Sequence, residues 1–164
     1  MSEPIDDLRI LLSHCPTFQA WVGASNDAEA ALRIHLETAA HGSTRPFAVV
    51  TAGEDRDEPI AGGGRLYTVR NGSLGILFES TVGSAFYDAG TYVVDDPGGA
   101  IAEITEKVAA IRREMAQLAG TAGMLFLRGV RQAQGAAHST PDEYPGEAPF
   151  AQVELECDFG LTGG

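Results

Sequence analysis

Cysteine is nearly absent from this 164-residue chain: there are two, Cys15 and Cys157, far apart and in no metal-binding or redox spacing. That excludes a disulfide framework and a cysteine-ligated zinc centre. Cys157 falls on the apolar side of a strand-like run and reads as a reduced core thiol. Basic residues are scarce too, 11 Lys and Arg against 23 Asp and Glu, for a formal charge of -12. So acidic a surface repels nucleic-acid backbones and anionic membranes and attracts basic patches, so direct DNA binding is not expected. No stretch of about 18 apolar residues exists to form a transmembrane helix. The opening "MSEPIDDLRILLSHCPTF" puts acids ahead of a short apolar run and lacks the basic-then-apolar order of a secretory signal. A soluble protein made in the cytoplasm is expected.

What is present suffices for one domain, 1–164, with a sizeable core. Ile5, Leu8, Leu11 and Leu12 recur at helical spacing behind Pro4, with Asp6 and Asp7 in the first turn where the helix dipole favours acids. A second short helix over 17–22 ends at Gly23. Ser25, Asn26 or Asp27 then caps a third run, "AEAALRIHLETAA", that stops before Gly42. Phe47, Ala48, Val49 and Val50 form a buried strand. The polar, Gly-rich "DRDEPIAGGG" reads as part of a long loop at 53–64. In "RLYTVRNGSLGILFES", Asn71-Gly72 predicts a type I′ hairpin whose one face holds Tyr67, Val69, Leu74, Ile76 and Phe78.

Ile101, Ile104, Val108, Ile111, Met115 and Leu118 then stripe one long helix, Pro97–Leu118, that stops at Gly120 and lies across the sheet. "MLFLRGVRQAQG" is a strand, 136–149 a second long loop, and "FAQVELECDFG" the closing strand. The expected fold is α+β: an antiparallel sheet of about four to five strands, one long helix packed on it, and an N-terminal helical segment.

Candidate chemistry is thin. "AGGGR" has the glycines of a phosphate loop but leads into a strand and lacks the Lys-Ser/Thr. "HLETAAH" has the His-x-Glu of zinc deaminases without their Pro-Cys-x-x-Cys, and its two histidines do not share a helix face. His14 and Cys15, adjacent in sequence, make a poor dyad, and His138 falls in a loop. The one constellation is in the last strand. Val153, Leu155, Cys157 and Phe159 alternate with Glu154, Glu156 and Asp158, which puts three carboxylates on one face about 6.5 to 7 Å apart. Such a row suits a hard cation if a loop adds oxygens, or else a hydrated outer face, and the hydrated reading is preferred. Neither a catalytic residue, a bound cofactor nor a metal site is assigned. Glu54, Asp55, Arg56 and Asp57 in the first loop, and Asp142, Glu143, Tyr144 and Glu147 in the second, are candidate assembly contacts, since long loops are often functional.

The order of "LRILLSHCPTFQAWVGA", "RPFAVV", "RLYTVRNGSLGILFES", the helix Pro97–Leu118, "MLFLRGV" and "FAQVELECDFG" resembles the tail terminator, or tail completion, proteins of long-tailed bacteriophages, over nearly the whole chain. The resemblance implies a non-enzymatic virion subunit at the head-proximal end of the tail, assembled in the host cytoplasm as a homo-oligomeric ring, a hexamer. Such a ring stops growth of the tail tube protein and joins the head-tail connector or stopper protein. DNA passes through it without specific binding, and Glu154, Glu156 and Asp158 would line its lumen or its wet exterior. No site residue is carried over from the family. The alternatives are another connector component, a stopper or adaptor, or a small-molecule or metal-binding α+β module.

Overall fold

Prolines start the first two helices. Pro4 and Pro16 lie at the first helical positions of α1 (Pro4–Ser13) and α2 (Pro16–Val22), where a missing N–H costs nothing. Gly23, at φ 72°, ends α2 in the left-handed conformation. Asn26 caps α3 (Asp27–Ala31), its side-chain oxygen accepting from the Glu29 amide at 2.9 Å. The structure, a computed structural model, describes residues 3–40, 43–62, 64–81, 85–88, 91–94, 97–121, 127–138 and 150–163.

The third helix is far shorter than expected. It ends at Ala31, and the chain turns into β1 (Ile34–Leu36), parallel to β2 (Phe47–Gly62). The extended backbone sends Ile34 and Leu36 to the same side, against the core, which helical spacing would not do. Tertiary burial has overridden helix propensity.

The hairpin is displaced as well. Residues 53–62 are not a loop but the outer half of β2, of which Asp55–Gly62 pair residue by residue with β3 (Arg65–Thr81). The chain reverses between Gly62 and Arg65, Gly64 having φ 75°, so Asn71-Gly72 lies in mid-strand. Gly72 serves a different need. Gly53 and Glu54 bulge opposite Ser73, and a Cβ on Gly72 would stand 2.0 Å from the Glu54 carbonyl and 2.7 Å from the Phe159 ring. Because β3 is continuous, Leu74, Ile76 and Phe78 face the core while Val69 points to the opposite face.

A short antiparallel pair, β4 (Ala85–Asp88) and β5 (Thr91–Val94), precedes α4 (Pro97–Leu118). Then come β6 (Leu127–His138) and β7 (Phe150–Gly163). Residues 136–138 therefore belong to β6, and the rest of the loop expected at 136–149 lies outside the described residues.

The main sheet has the order β1-β2-β3-β7-β6, five strands, antiparallel except for β1. The fold class is thus α+β as expected, with a mixed rather than purely antiparallel sheet. Ile104, Val108, Ile111 and Met115 of α4 pack with α1 to α3 into one core on Val50, Ile76, Phe78, Val153, Leu155, Cys157 and Phe159. Glu114 ties α4 to the start of α2, its carboxylate accepting from the Thr17 amide at 3.0 Å and the Thr17 hydroxyl at 2.8 Å. No helix of the described residues is long and apolar enough to cross a membrane.

Candidate functional site

The core residues put α1 to α4 against one face of the sheet, and among the described residues no helix covers the other face. Cross-strand register gives that outer face its composition. Phe47, Glu79 and Gln152 stand in one row, Val49, Leu77 and Glu154 in the next, Thr51, Gly75, Glu156 and Arg131 in a third, Ser73 and Asp158 in a fourth. The acids of β7 therefore share a continuous surface with Glu79.

Arg131, from β6, answers two of the three expected acids. It donates through Nη2 to Glu156 and through Nη1 to Asp158, each at 2.5 Å, although it is 54% exposed. Hydrogen bonding to Asp158 raises the Arg131 pKa above its ordinary value. Glu156 and Asp158 thus pair with a cation of the protein instead of lying open to a metal. Among the described residues no cluster of three or more His, Cys, Asp or Glu is placed to hold one. Sequence periodicity located the acids; only the β6–β7 register brings Arg131 to them.

At the other end of the face lies a trough of about 400 Å³, floored by Phe47, Val49, Leu77 and Phe150 and walled by residues 37–40 and Ser43. Its polar end is a small network. The Arg45 Nε donates to Glu79 at 2.8 Å, Gln152 donates to the other Glu79 oxygen at 2.7 Å, and the Arg45 guanidinium sits 4.7 Å over the Phe150 ring. Glu79 is 7% exposed, so its charge is held by these two partners. Nothing in the linear order of Arg45, Glu79 and Gln152 marks them as neighbours.

The third feature is an arm. Beyond Leu74 and Phe159 the described side chains of the β2–β3 hairpin take no part in the core cluster, although Val69 and Asn71 are buried, and residues 160–163 of β7 flank it. Glu54, Asp55, Arg56 and Asp57, expected in a loop, are exposed here on a strand. Arg56 pairs with Glu54 at 3.0 Å and Glu58 at 2.9 Å. Arg70 clamps Asp55 at 2.6 Å and reaches Glu3 at 3.2 Å, which holds the Asp55 carboxyl below its usual range. Asp142, Glu143, Tyr144 and Glu147 lie outside the described residues.

No protein-family model matches this chain, and no curated protein matches it in sequence.

Of the remaining candidates, His41 lies outside the described residues and His138 ends β6 instead of lying in a loop. Cys15 donates to the Leu11 carbonyl at 3.6 Å, while His14 turns to the Ile10 carbonyl at 2.7 Å and to Asp27 at 3.0 Å, so the two form no dyad. Burial pushes both thiols, Cys15 and Cys157, up to about 12. His35 meets the Phe47 ring edge-on, centroids 5.3 Å apart.

Proposed function

We propose that this chain is a structural, non-catalytic ring subunit: a phage tail terminator at the head-proximal end of the tail tube, between the tube protein and the head connector. The observation that carries the reading is the arm. A ribbon with exposed, charged residues, whose described side chains take no part in the core cluster, is marginal in water by itself. Its length is explained if it reaches another subunit. The one-sided sheet fits the same reading: helices on one face leave an outer face of Glu79, Glu154, Glu156 and Asp158 against Arg45 and Arg131. An acidic face turned to a lumen does not grip phosphate, so DNA slides past. A stopper or adaptor ring at the same junction would share these features and differ in the neighbour it binds.

The test is the native mass of the purified chain over a wide concentration range, with negative-stain imaging of large species and pull-down of tube ends. Closed rings that cap tubes are the expected result. A monomer at all concentrations that ignores tubes refutes the proposal. The trough favours one rival, a small-molecule module whose ligand sits on Phe47 and Phe150 beside Arg45. A monomer whose melting temperature climbs with ligand concentration would establish that rival instead.

A further inference from the structure

We infer that the outer half of β2 docks on β6 of a second copy of this chain, head to tail; the inference rests on the ring reading above. The sheet has two unequal edges. At one, β1 pairs with β2 at Ala48, Val49 and Val50, so among the described residues β2 has a single strand neighbour from Thr51 onward. At the other, β7 is the strand neighbour of β6 among the described residues. An edge strand presents unpaired N–H and C=O groups and is the natural place for a strand of another chain to add.

Charge then selects the partner. The β2 edge carries Glu54, Asp55, Asp57 and Glu58 around one base, Arg56; Arg56 already holds Glu54 and Glu58 and Arg70 holds Asp55, so Asp57 is the acid it offers a partner. The β6 edge carries Arg128 and Arg131 and no acid anywhere in Leu127–His138; both arginines are exposed, and since Glu156 and Asp158 of β7 already hold Arg131, Arg128 is the base it offers a partner. Two β2 edges related by a two-fold axis about Arg56 would set Asp55 against Asp57 and Glu54 against Glu58, like on like. Two β6 edges would set arginine on arginine. Opposite charges across paired strands stabilise and like charges destabilise, so the acidic edge accepts the basic edge and refuses a copy of itself. Charged edges and Pro59 near the arm's tip also blunt indiscriminate strand pairing, which leaves room for a specific partner only.

Strand direction agrees. β2 and β7 run one way, β3 and β6 the other, so a neighbour's β6 laid beside β2 continues the antiparallel alternation without inverting either subunit. A contact between two different edges is heterologous, and repeated around an axis it closes into a ring, whereas self-pairing edges stop at a dimer.

The experiment compares wild type, Asp57→Lys, Arg128→Glu and the double variant by native mass against concentration, with circular dichroism to confirm folding. Each single variant places like charges in the contact and should raise the concentration of half-assembly about tenfold or more. The double variant restores opposite charges and should recover assembly. Rings that form equally well in both single variants overturn the edge assignment and leave the ring reading standing. A wild-type monomer at every concentration overturns both. As a second measurement, Asp57→Cys and Arg128→Cys are joined with a short bifunctional thiol reagent, the native thiols being buried. A ladder of multimers requiring both cysteines supports the contact; dimers from Asp57→Cys alone refute it.

Discussion

Replacing Gly72 with alanine separates two explanations of the same dipeptide. In a turn, Gly72 would supply a positive φ; in mid-strand it makes room. The added Cβ would meet the Glu54 carbonyl oxygen at 2.0 Å and the Phe159 ring at 2.7 Å. Neither neighbour yields easily, because one is backbone in the bulge opposite Ser73 and the other a core aromatic. Overpacking of this kind costs about 1–3 kcal/mol, and a ladder hydrogen bond lost as the bulge shifts adds about 1 kcal/mol. The sum of about 2–4 kcal/mol lowers the melting temperature of a domain this size by roughly 5–15 °C. Gly64→Ala is the internal control: at φ 75° with no atom within 4 Å of the new Cβ, it carries only conformational strain, about 1–2 kcal/mol. Calorimetry and urea titration of both variants give the comparison. Equal losses at the two positions, or a Gly72→Ala loss below about 0.5 kcal/mol, would refute the close-approach argument.

Glu79→Ala strips Arg45 and Gln152 of a shared acceptor at the trough and should cost about 2 kcal/mol, read as a lower urea midpoint; an unchanged midpoint would mean water replaces the carboxylate. Phe78→Ala removes a fully buried ring 6.4 Å from Phe18 and 6.1 Å from Trp21. It should cost about 3–5 kcal/mol and shift Trp21 emission to the red, and an unshifted spectrum would count against that contact. The thiols predict an alkaline limb. Their folded pKa of about 12 exceeds the ordinary 9.0, so the stabilisation is fully present below pH 9 and is lost as pH rises from 9 toward 12. At pH 10 this amounts to about 1.4 kcal/mol per thiol. A Cys15→Ala, Cys157→Ala variant should show a shallower decline, and an equal slope would dismiss the thiols as its cause. Arg131→Ala, at an exposed pair, should leave the melting temperature where it was, since surface ion pairs contribute little; a clear drop would make Glu156 and Asp158 dependent on it.

The long helix was legible to the residue because Pro97, the three-and-four stripe from Ile104 to Met115 and Gly120 all say the same thing. Strand β7 was equally legible from its alternation, and the face it buries is the face expected. Where local signals disagreed with the fold, packing decided. "RIHL" has helical neighbours on both sides, yet Ile34 and Leu36 reach the core only when extended. "DRDEP" is polar, contains proline and reads as a loop, but an edge strand tolerates both because one side of it faces water. Asn71-Gly72 misled for a related reason: glycine in the left-handed region and glycine under a neighbour's carbonyl are the same letter in a sequence.

The site was legible by faces and hidden by rows. Alternation along one strand tells which residues share a face, so Glu154, Glu156 and Asp158 could be grouped before any fold was known. It does not tell which residues of other strands stand beside them, because register depends on bulges and turn positions far away in sequence. One bulge at Gly53 and Glu54 shifts the outer part of β2 against β3. Irregularities between Leu127 and Gly129, and again after Gln132, set Arg131 opposite Glu156. A one-residue slip of β6 would turn Arg131 toward the core and leave the three acids without that cation. Had that register prevailed, the row would have made a better cation site and a poorer protein surface. Its electrostatics are thus a property of strand pairing, and so are the two oppositely charged edges from which the assembly argument proceeds.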